Sequence, residues 1–195
     1  MSMTDIRPIK TALRDKYRSI RRQMSAEARD TADMRIAERV RGLRQYQSCL
    51  TLLTYVSTDI EVDPTRIINN ALQDGKCVAV PRCVDGARQM EFYRITSLSE
   101  LQPGTFGVLE PLADPDRLIS DDAGALCIVP ALSYDWRGYR LGYGKGYYDR
   151  YLSKFGGDVI GICYRNCVQR SLPHGRFDRR VSLLVTDQYI RRTKI

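Results

Sequence analysis

Five short apolar runs recur along the chain: CLTLLTYV (49–56), CVAVP (77–81), LCIV (126–129), VIGIC (159–163) and VSLLV (181–185). Each has the length of a buried strand, and turn-forming residues follow several of them. Between them lie stretches with helical periodicity. Leu13, Tyr17, Ile20 and Met24 mark a helix over 8–24, and Ser25 is placed to cap a second helix running to about Tyr46, with Ala32, Ile36, Val40 and Leu43 turned inward. Asp63 or Pro64 starts a third helix that ends near Gly75, and Tyr147 to about Phe155 forms a fourth. MEFYRI (90–95), after the Asp85-Gly86 turn, reads as a further strand. Residues 97–124, the segment after Pro130 and the basic tail after Val185 read as loops. Such alternation predicts a three-layer α/β/α, Rossmann-like sheet with helices on both faces. No repeat, low-complexity tract or linker divides residues 1–195, so one domain is expected.

The 43% hydrophobic content of 195 residues suffices for a full core without disulfides or a structural metal. No apolar run approaches the length of a membrane span, and the first 25 residues lack the apolar centre of a secretory signal, so a cytoplasmic location is expected. Six cysteines form no C-x-x-C pair; Cys49, Cys77 and Cys127 read as small core residues of a reduced compartment. Cys163 and Cys167 are four apart, which would join them on a helix, but no further metal ligands suggest themselves. The lone histidine, His174, sits between Pro173 and Gly175 and reads as a surface loop residue rather than a base.

Lys and Arg exceed Asp and Glu by 31 to 23, a formal charge of +8, which favours anionic partners. Lys10, Arg14 and Arg18 repeat at intervals of four on the first helix. Like charges at that spacing cost roughly 0.2–0.5 kcal/mol per pair unless an anion offsets them. A solvated basic face explains the same stripe. The segment Arg140-Leu-Gly-Tyr-Gly-Lys-Gly-Tyr-Tyr-Asp149 places Gly142, Gly144 and Gly146 between a strand and a helix start, with Arg140 and Lys145 adding charge and Asp149 a hard oxygen. Glycines there let the backbone approach a phosphate, and an Asp suits Mg²⁺. The spacing is neither a Walker loop nor the dinucleotide fingerprint, and an ordinary Gly-rich turn accounts for the glycines alone.

The whole stretch VPALSYDWRGYRLGYGKGYYDRYL (129–152) resembles the signature of the 5-formyltetrahydrofolate cyclo-ligase (5,10-methenyltetrahydrofolate synthetase) family. Matching residues follow in order along nearly the whole chain: Lys10 and Leu13-Arg14, Glu61-Val62-Asp63, Val80-Pro81, Phe106-Gly107-Val108, Glu110-Pro111, Asp178 and Thr186. The resemblance narrows the fold to the sugar-isomerase and CoA-transferase-like type. It implies an ATP- and Mg²⁺-dependent ligase that cyclises 5-formyltetrahydrofolate to 5,10-methenyltetrahydrofolate and releases ADP and phosphate. Phosphorylation of the formyl oxygen activates the carbon for attack by N10, chemistry that asks the protein for positioning and charge rather than a nucleophile.

By the same resemblance, ATP lies against Lys10, Arg14, Arg140, Gly142, Gly144, Lys145, Gly146, Tyr147 and Tyr148, with Lys145 and Arg140 acting at the transferring phosphate. Val56, Glu61, Phe106, Tyr143 and Tyr147 are assigned to the folate, and Asp149 and Asp178 to Mg²⁺. Without the family, Glu61 reads as a helix-start carboxylate, Phe106 as a core aromatic and Asp178 as a loop cap. The chain departs from the pattern at Pro64, Phe106, Cys167 and Ser182, which bears on substrate affinity more than on reaction class. Small-molecule substrates, no nucleic acid, no membrane and a monomer or homodimer are expected. The rival readings are a basic nucleic-acid-binding module, suggested by the charge and the 12 tyrosines, and a low-turnover folate or nucleotide regulator.

Overall fold

A computed structural model describes residues 5–193, the Phe106 side chain excepted. The elements are α1 (Arg7–Arg22), α2 (Ala26–Arg41), α3 (Arg44–Ser48), β1 (Thr51–Leu53), α4 (Thr65–Gln73), β2 (Cys77–Cys83) and β3 (Met90–Ile95). There follow β4 (Gln102–Pro103), β5 (Leu109–Glu110), β6 (Leu126–Val129), β7 (Ser133–Asp135), β8 (Arg140–Leu141) and α5 (Tyr147–Leu152). The chain closes with β9 (Asp158–Cys163), β10 (Val168–Gln169), β11 (Leu183–Thr186) and β12 (Ile190–Arg192).

Seven strands form the main sheet in the order β12-β11-β9-β6-β1-β2-β3. The inner pairings, from β11 through β9, β6 and β1 to β2, are parallel; β12 and β3 join the two edges antiparallel. In β1, β2 and β6 the apolar side chains alternate between the faces. Leu52, Val78, Val80, Leu126, Ile128, Ile160 and Ile162 join the core beneath the helical layer, where α4 packs on β2 and α2 on β11. Leu53, Ala79, Cys127 and Val129 belong to the opposite core, closed by Leu152 of α5 with Tyr151 and Phe155. Strands β1, β2 and β6 are thus apolar on both sides, as a doubly covered sheet requires.

Glycine at 161 lets the Tyr134 ring lie on the sheet, since a Cβ there would stand 2.4 Å from Tyr134 Cζ. The Tyr134 hydroxyl donates to the Val129 carbonyl at 2.7 Å.

The structure corrects several local expectations. The second helix stops at Arg41, and Leu43 is extended at the start of α3. Gly42 is costly in a helix interior, and the break lets Tyr46 enter the core, its hydroxyl on Asp74 at 2.9 Å. The segment after Pro130 is a hairpin, β7–β8, rather than a loop. Its turn is held by buried Asp135, which accepts from the Arg137 and Tyr139 N–H groups, and by Gly138 at φ +86°. The basic tail contributes edge strand β12, and α5 ends at Leu152, short of Phe155. Cys163 closes β9 and Cys167 lies in a 3₁₀ turn, so no helix joins them. Cys49 and Cys127 are buried as expected, while Cys77 is half-buried.

Candidate active site

The direction of chain connection reverses between β1 and β6. From β1 the chain moves to β2 on one side, and β6, β9 and β11 follow on the other. In open α/β sheets the crevice beyond the carboxyl ends of strands at such a point is where ligands bind. Here a cleft of about 860 Å³ opens at that place, lined by Tyr55 and Val56 after β1, Pro81 and Cys83 at the end of β2, and Pro130 after β6. All the residues assigned above to ATP, folate and Mg²⁺ line this cleft, except Phe106, whose side chain lies outside the described residues.

One wall is α1. Pro8 occupies its first turn, where the missing N–H costs nothing, and its apolar stripe packs on the core. The polar stripe, Lys10, Arg14, Arg18 and Arg22, therefore faces the cleft. Lys10 Nζ meets Asp178 Oδ2 at 2.5 Å, and Arg14 Nε donates to the Gly142 carbonyl at 2.9 Å. Burial, with Arg18 next to it, pulls the Arg14 guanidinium below its ordinary pKa. A partly desolvated cation whose partner is a carbonyl, not a carboxylate, suits an incoming anion.

The opposite wall is the glycine loop. Gly144 adopts φ +97° and packs against Arg14, where a Cβ would lie 3.2 Å from the guanidinium; Gly146 at φ +74° forms the N-cap of α5. Gly142 needs neither positive φ nor close contact. With only six residues in α5, the helix-start contribution anticipated from sequence is small, and anion affinity falls to the side-chain cations. Arg140 is almost fully buried; its guanidinium is committed to Asp149 Oδ1 at 2.5 Å and the Arg179 carbonyl at 2.8 Å. It ties the loop to the 178–179 segment.

Glu61 and Thr58, from the loop after β1, also line the cleft. Glu61 is 7% exposed, and its Oε2 accepts from the Thr58 N–H at 2.8 Å and hydroxyl at 3.0 Å. Burial raises its pKa, with the Thr58 bonds opposing. Its backbone is clamped by buried Arg21, which donates to the Ile60 carbonyl at 2.9 Å, and by the Tyr164 hydroxyl on the Glu61 carbonyl at 3.2 Å. Tyr143 shares a 3.5 Å contact with Thr58, and burial pushes its phenol up to about 12. The Tyr148 hydroxyl is buried in this wall with no hydrogen-bond partner among the described residues. Such an orphan costs about 1–3 kcal/mol unless a ligand satisfies it.

Sequence reasoning missed Arg22, Tyr55, Thr58 and Glu110 as lining residues. Extending the four-residue stripe past Arg18 would have found Arg22, and Glu110 already stood in the quoted Glu-Pro match. Tyr55 and Thr58 carry no signal of their own. Pro64, Cys167 and Ser182 do not line the cleft, so those departures do not alter its contacts.

Among the described residues no group of three or more His, Cys, Asp or Glu side chains could hold a metal ion. Asp149 and Asp178 are hard oxygen donors already paired with cations. They fit a Mg²⁺ that keeps its water and phosphate ligands and arrives with a nucleotide, not a resident metal.

A parallel α/β sheet with a crevice of interleaved cations and carboxylates at its switch point, bounded by a glycine loop, suits an enzyme acting on charged small molecules. Comparison with known proteins makes this specific: residues 7–187 match the model of the 5-formyltetrahydrofolate cyclo-ligase family, and the chain belongs to that family. A probable 5-formyltetrahydrofolate cyclo-ligase of Schizosaccharomyces pombe is 29% identical over 83% of this chain and 86% of its own. The Mus musculus 5-formyltetrahydrofolate cyclo-ligase is 30% identical over 79% and 78%. The NMR structure of the Aquifex aeolicus 5,10-methenyltetrahydrofolate synthetase superposes with a TM-score of 0.77 at 28% identity, covering 96% of this chain and 94% of that one.

Proposed function

We propose that this chain cyclises 5-formyltetrahydrofolate to 5,10-methenyltetrahydrofolate with conversion of ATP to ADP and phosphate, and that the switch-point cleft is where both substrates meet. The observation that carries this reading is convergence. Residues from α1, the loop after β1, the end of β2 and the 140–149 loop, distant in sequence, line one cleft.

Lys10 and Arg14 bind the phosphates, with Gly142, Gly144 and Gly146 allowing close backbone approach and Tyr147 and Tyr148 flanking the nucleotide. Lys145 neutralises the transferring γ-phosphoryl. Arg140 holds Asp149 and the Arg179 carbonyl with two of its five N–H groups, which positions the loop and leaves donors for the transferring phosphate. Asp149 and Asp178 would hold a Mg²⁺ that arrives with the nucleotide, and it would supply charge neutralisation at the phosphates. Val56, Phe106, Tyr143 and Tyr147 bind the folate, and the Glu61 carboxylate accepts from donor groups of the pterin and so orients N5 and N10.

The formyl oxygen attacks the γ-phosphorus as the bond to ADP breaks. N10 then adds to the activated carbon, loses its proton, and phosphate leaves with the former formyl oxygen. Positioning and charge stabilisation supply the rate, as phosphoryl transfer requires. The chain acts as a single catalytic unit, monomeric or homodimeric, in the cytoplasm. No helix among the described residues is long and apolar enough to cross a membrane.

Near-ultraviolet absorbance of the methenyl product tests the reading. The band grows only when protein, 5-formyltetrahydrofolate, ATP and Mg²⁺ are all present. A flat trace with folded protein and intact substrate would overturn it in favour of the low-turnover binding protein.

A further inference from the structure

The catalytic cleft does not account for the basic balance of the chain. Its lining holds six cations, Lys10, Arg14, Arg18, Arg22, Arg140 and Lys145, against five carboxylates. The surplus collects elsewhere. On the other side of the β7–β8 hairpin a concavity of about 550 Å³ is continuous, through Trp136, Arg170 and Arg191, with a smaller one of about 290 Å³. Arg137, Arg165, Arg170, Arg180, Arg191 and Arg192 line the two, all exposed, and no described Asp or Glu does. Neither shares a lining residue with the catalytic cleft.

Aromatic faces accompany this charge. Trp136 is 44% exposed, with the Arg191 guanidinium 4.8 Å from its ring centre. Tyr139 and His174 stack at 3.7 Å and 5°. Solvation alone gives no reason for a tryptophan to lie open among arginines, and grouping six like charges around two adjoining concavities raises the energy of the free protein. Exposed arginine forks around an open tryptophan ring, across two adjoining concavities, match a ligand that repeats phosphate and base. A duplex hides its base faces, and an acidic peptide does not repeat a ring with each charge.

We propose that this groove binds single-stranded nucleic acid, with phosphates on the arginines and a base on Trp136. It is a second site, separate from the cyclo-ligase reaction.

Trp136 is the sole tryptophan of the chain, so its emission reports on the groove directly. Titration with a twelve-residue oligouridylate is expected to quench that emission, with an affinity that falls steeply as salt rises. A duplex of equal length and inorganic polyphosphate are expected to bind at least tenfold more weakly. With a labelled oligouridylate read by anisotropy, Trp136→Ala and the double variant Arg170→Glu/Arg191→Glu each weaken binding tenfold or more and Trp136→Phe restores it, all with unchanged cyclo-ligase rates. A charge-matched control, Arg35→Glu/Arg44→Glu on the helical layer, leaves binding within twofold. Absence of quenching, equal binding of polyphosphate, or equal loss in the control would overturn the proposal.

Discussion

Lys10 and Asp178 lie 168 positions apart in the chain and meet at 2.5 Å, joining α1 to the segment before the last parallel strand. Both residues line the cleft, and under the proposed function the ammonium meets the nucleotide phosphates. The two side chains are 15% and 22% exposed, so the pair is largely desolvated and removing one partner leaves the other charge poorly compensated. Lys10→Met is therefore expected to raise KM for ATP tenfold or more while leaving KM for the folate within twofold, and to lower the melting temperature. Steady-state kinetics with each substrate varied in turn checks this.

Lys145 sits on the exposed glycine loop, away from both cores, so its removal leaves folding intact. Lys145→Ala is expected to lower kcat at least a hundredfold with unchanged folate affinity, measured by titration in the absence of ATP. Undiminished turnover would remove Lys145 from phosphoryl transfer.

Glu61 is held by Thr58, and burial raises its pKa above the usual carboxylate value. If the carboxylate is the form that accepts from the pterin, kcat/KM for the folate falls as pH drops through that raised value. Glu61→Gln is expected to lower kcat/KM at neutral pH at least tenfold and to abolish the acidic limb of the profile. A limb of unchanged position in the variant would contradict the assignment.

Asp33 on α2 is 6% exposed, and burial pushes its carboxyl up to about 6. One of its oxygens has no hydrogen-bond partner among the described residues. A folded-state value above the unfolded one means that the protonated form stabilises the fold at low pH. That contribution is lost as pH rises from about 4 through about 6. Asp33→Asn is expected to raise stability above pH 7 by on the order of 1–2 kcal/mol, with no gain below pH 4. Denaturant melts at several pH values read the difference.

The inner strands were legible because burial on both faces forces continuous apolar runs, as in VIGIC and LCIV. Yet CLTLLTYV is strand only over Thr51–Leu53, because the chain leaves the sheet there and Tyr55 and Val56 enter the cleft. The β7–β8 hairpin was illegible because two- and three-residue strands carry no periodicity and Asp135, not an apolar pattern, organises the turn. Strand β12 was read as a tail because its exposed residues, Ile190, Arg191 and Arg192, look like solvated chain; charge is what an open sheet edge carries. The site residues came from the family resemblance, and periodicity alone supplied only the α1 stripe. Neither could reveal that Arg140 is locked onto Asp149 or that the surplus arginines gather around Trp136, since both depend on tertiary contacts.

The fate of the formyl oxygen tests the central claim most directly. With 5-formyltetrahydrofolate labelled by ¹⁸O in the formyl group, and ATP and Mg²⁺ in excess, the account predicts one labelled oxygen in each phosphate released per methenyl product. Unlabelled phosphate with full product formation would contradict activation by phosphorylation of that oxygen.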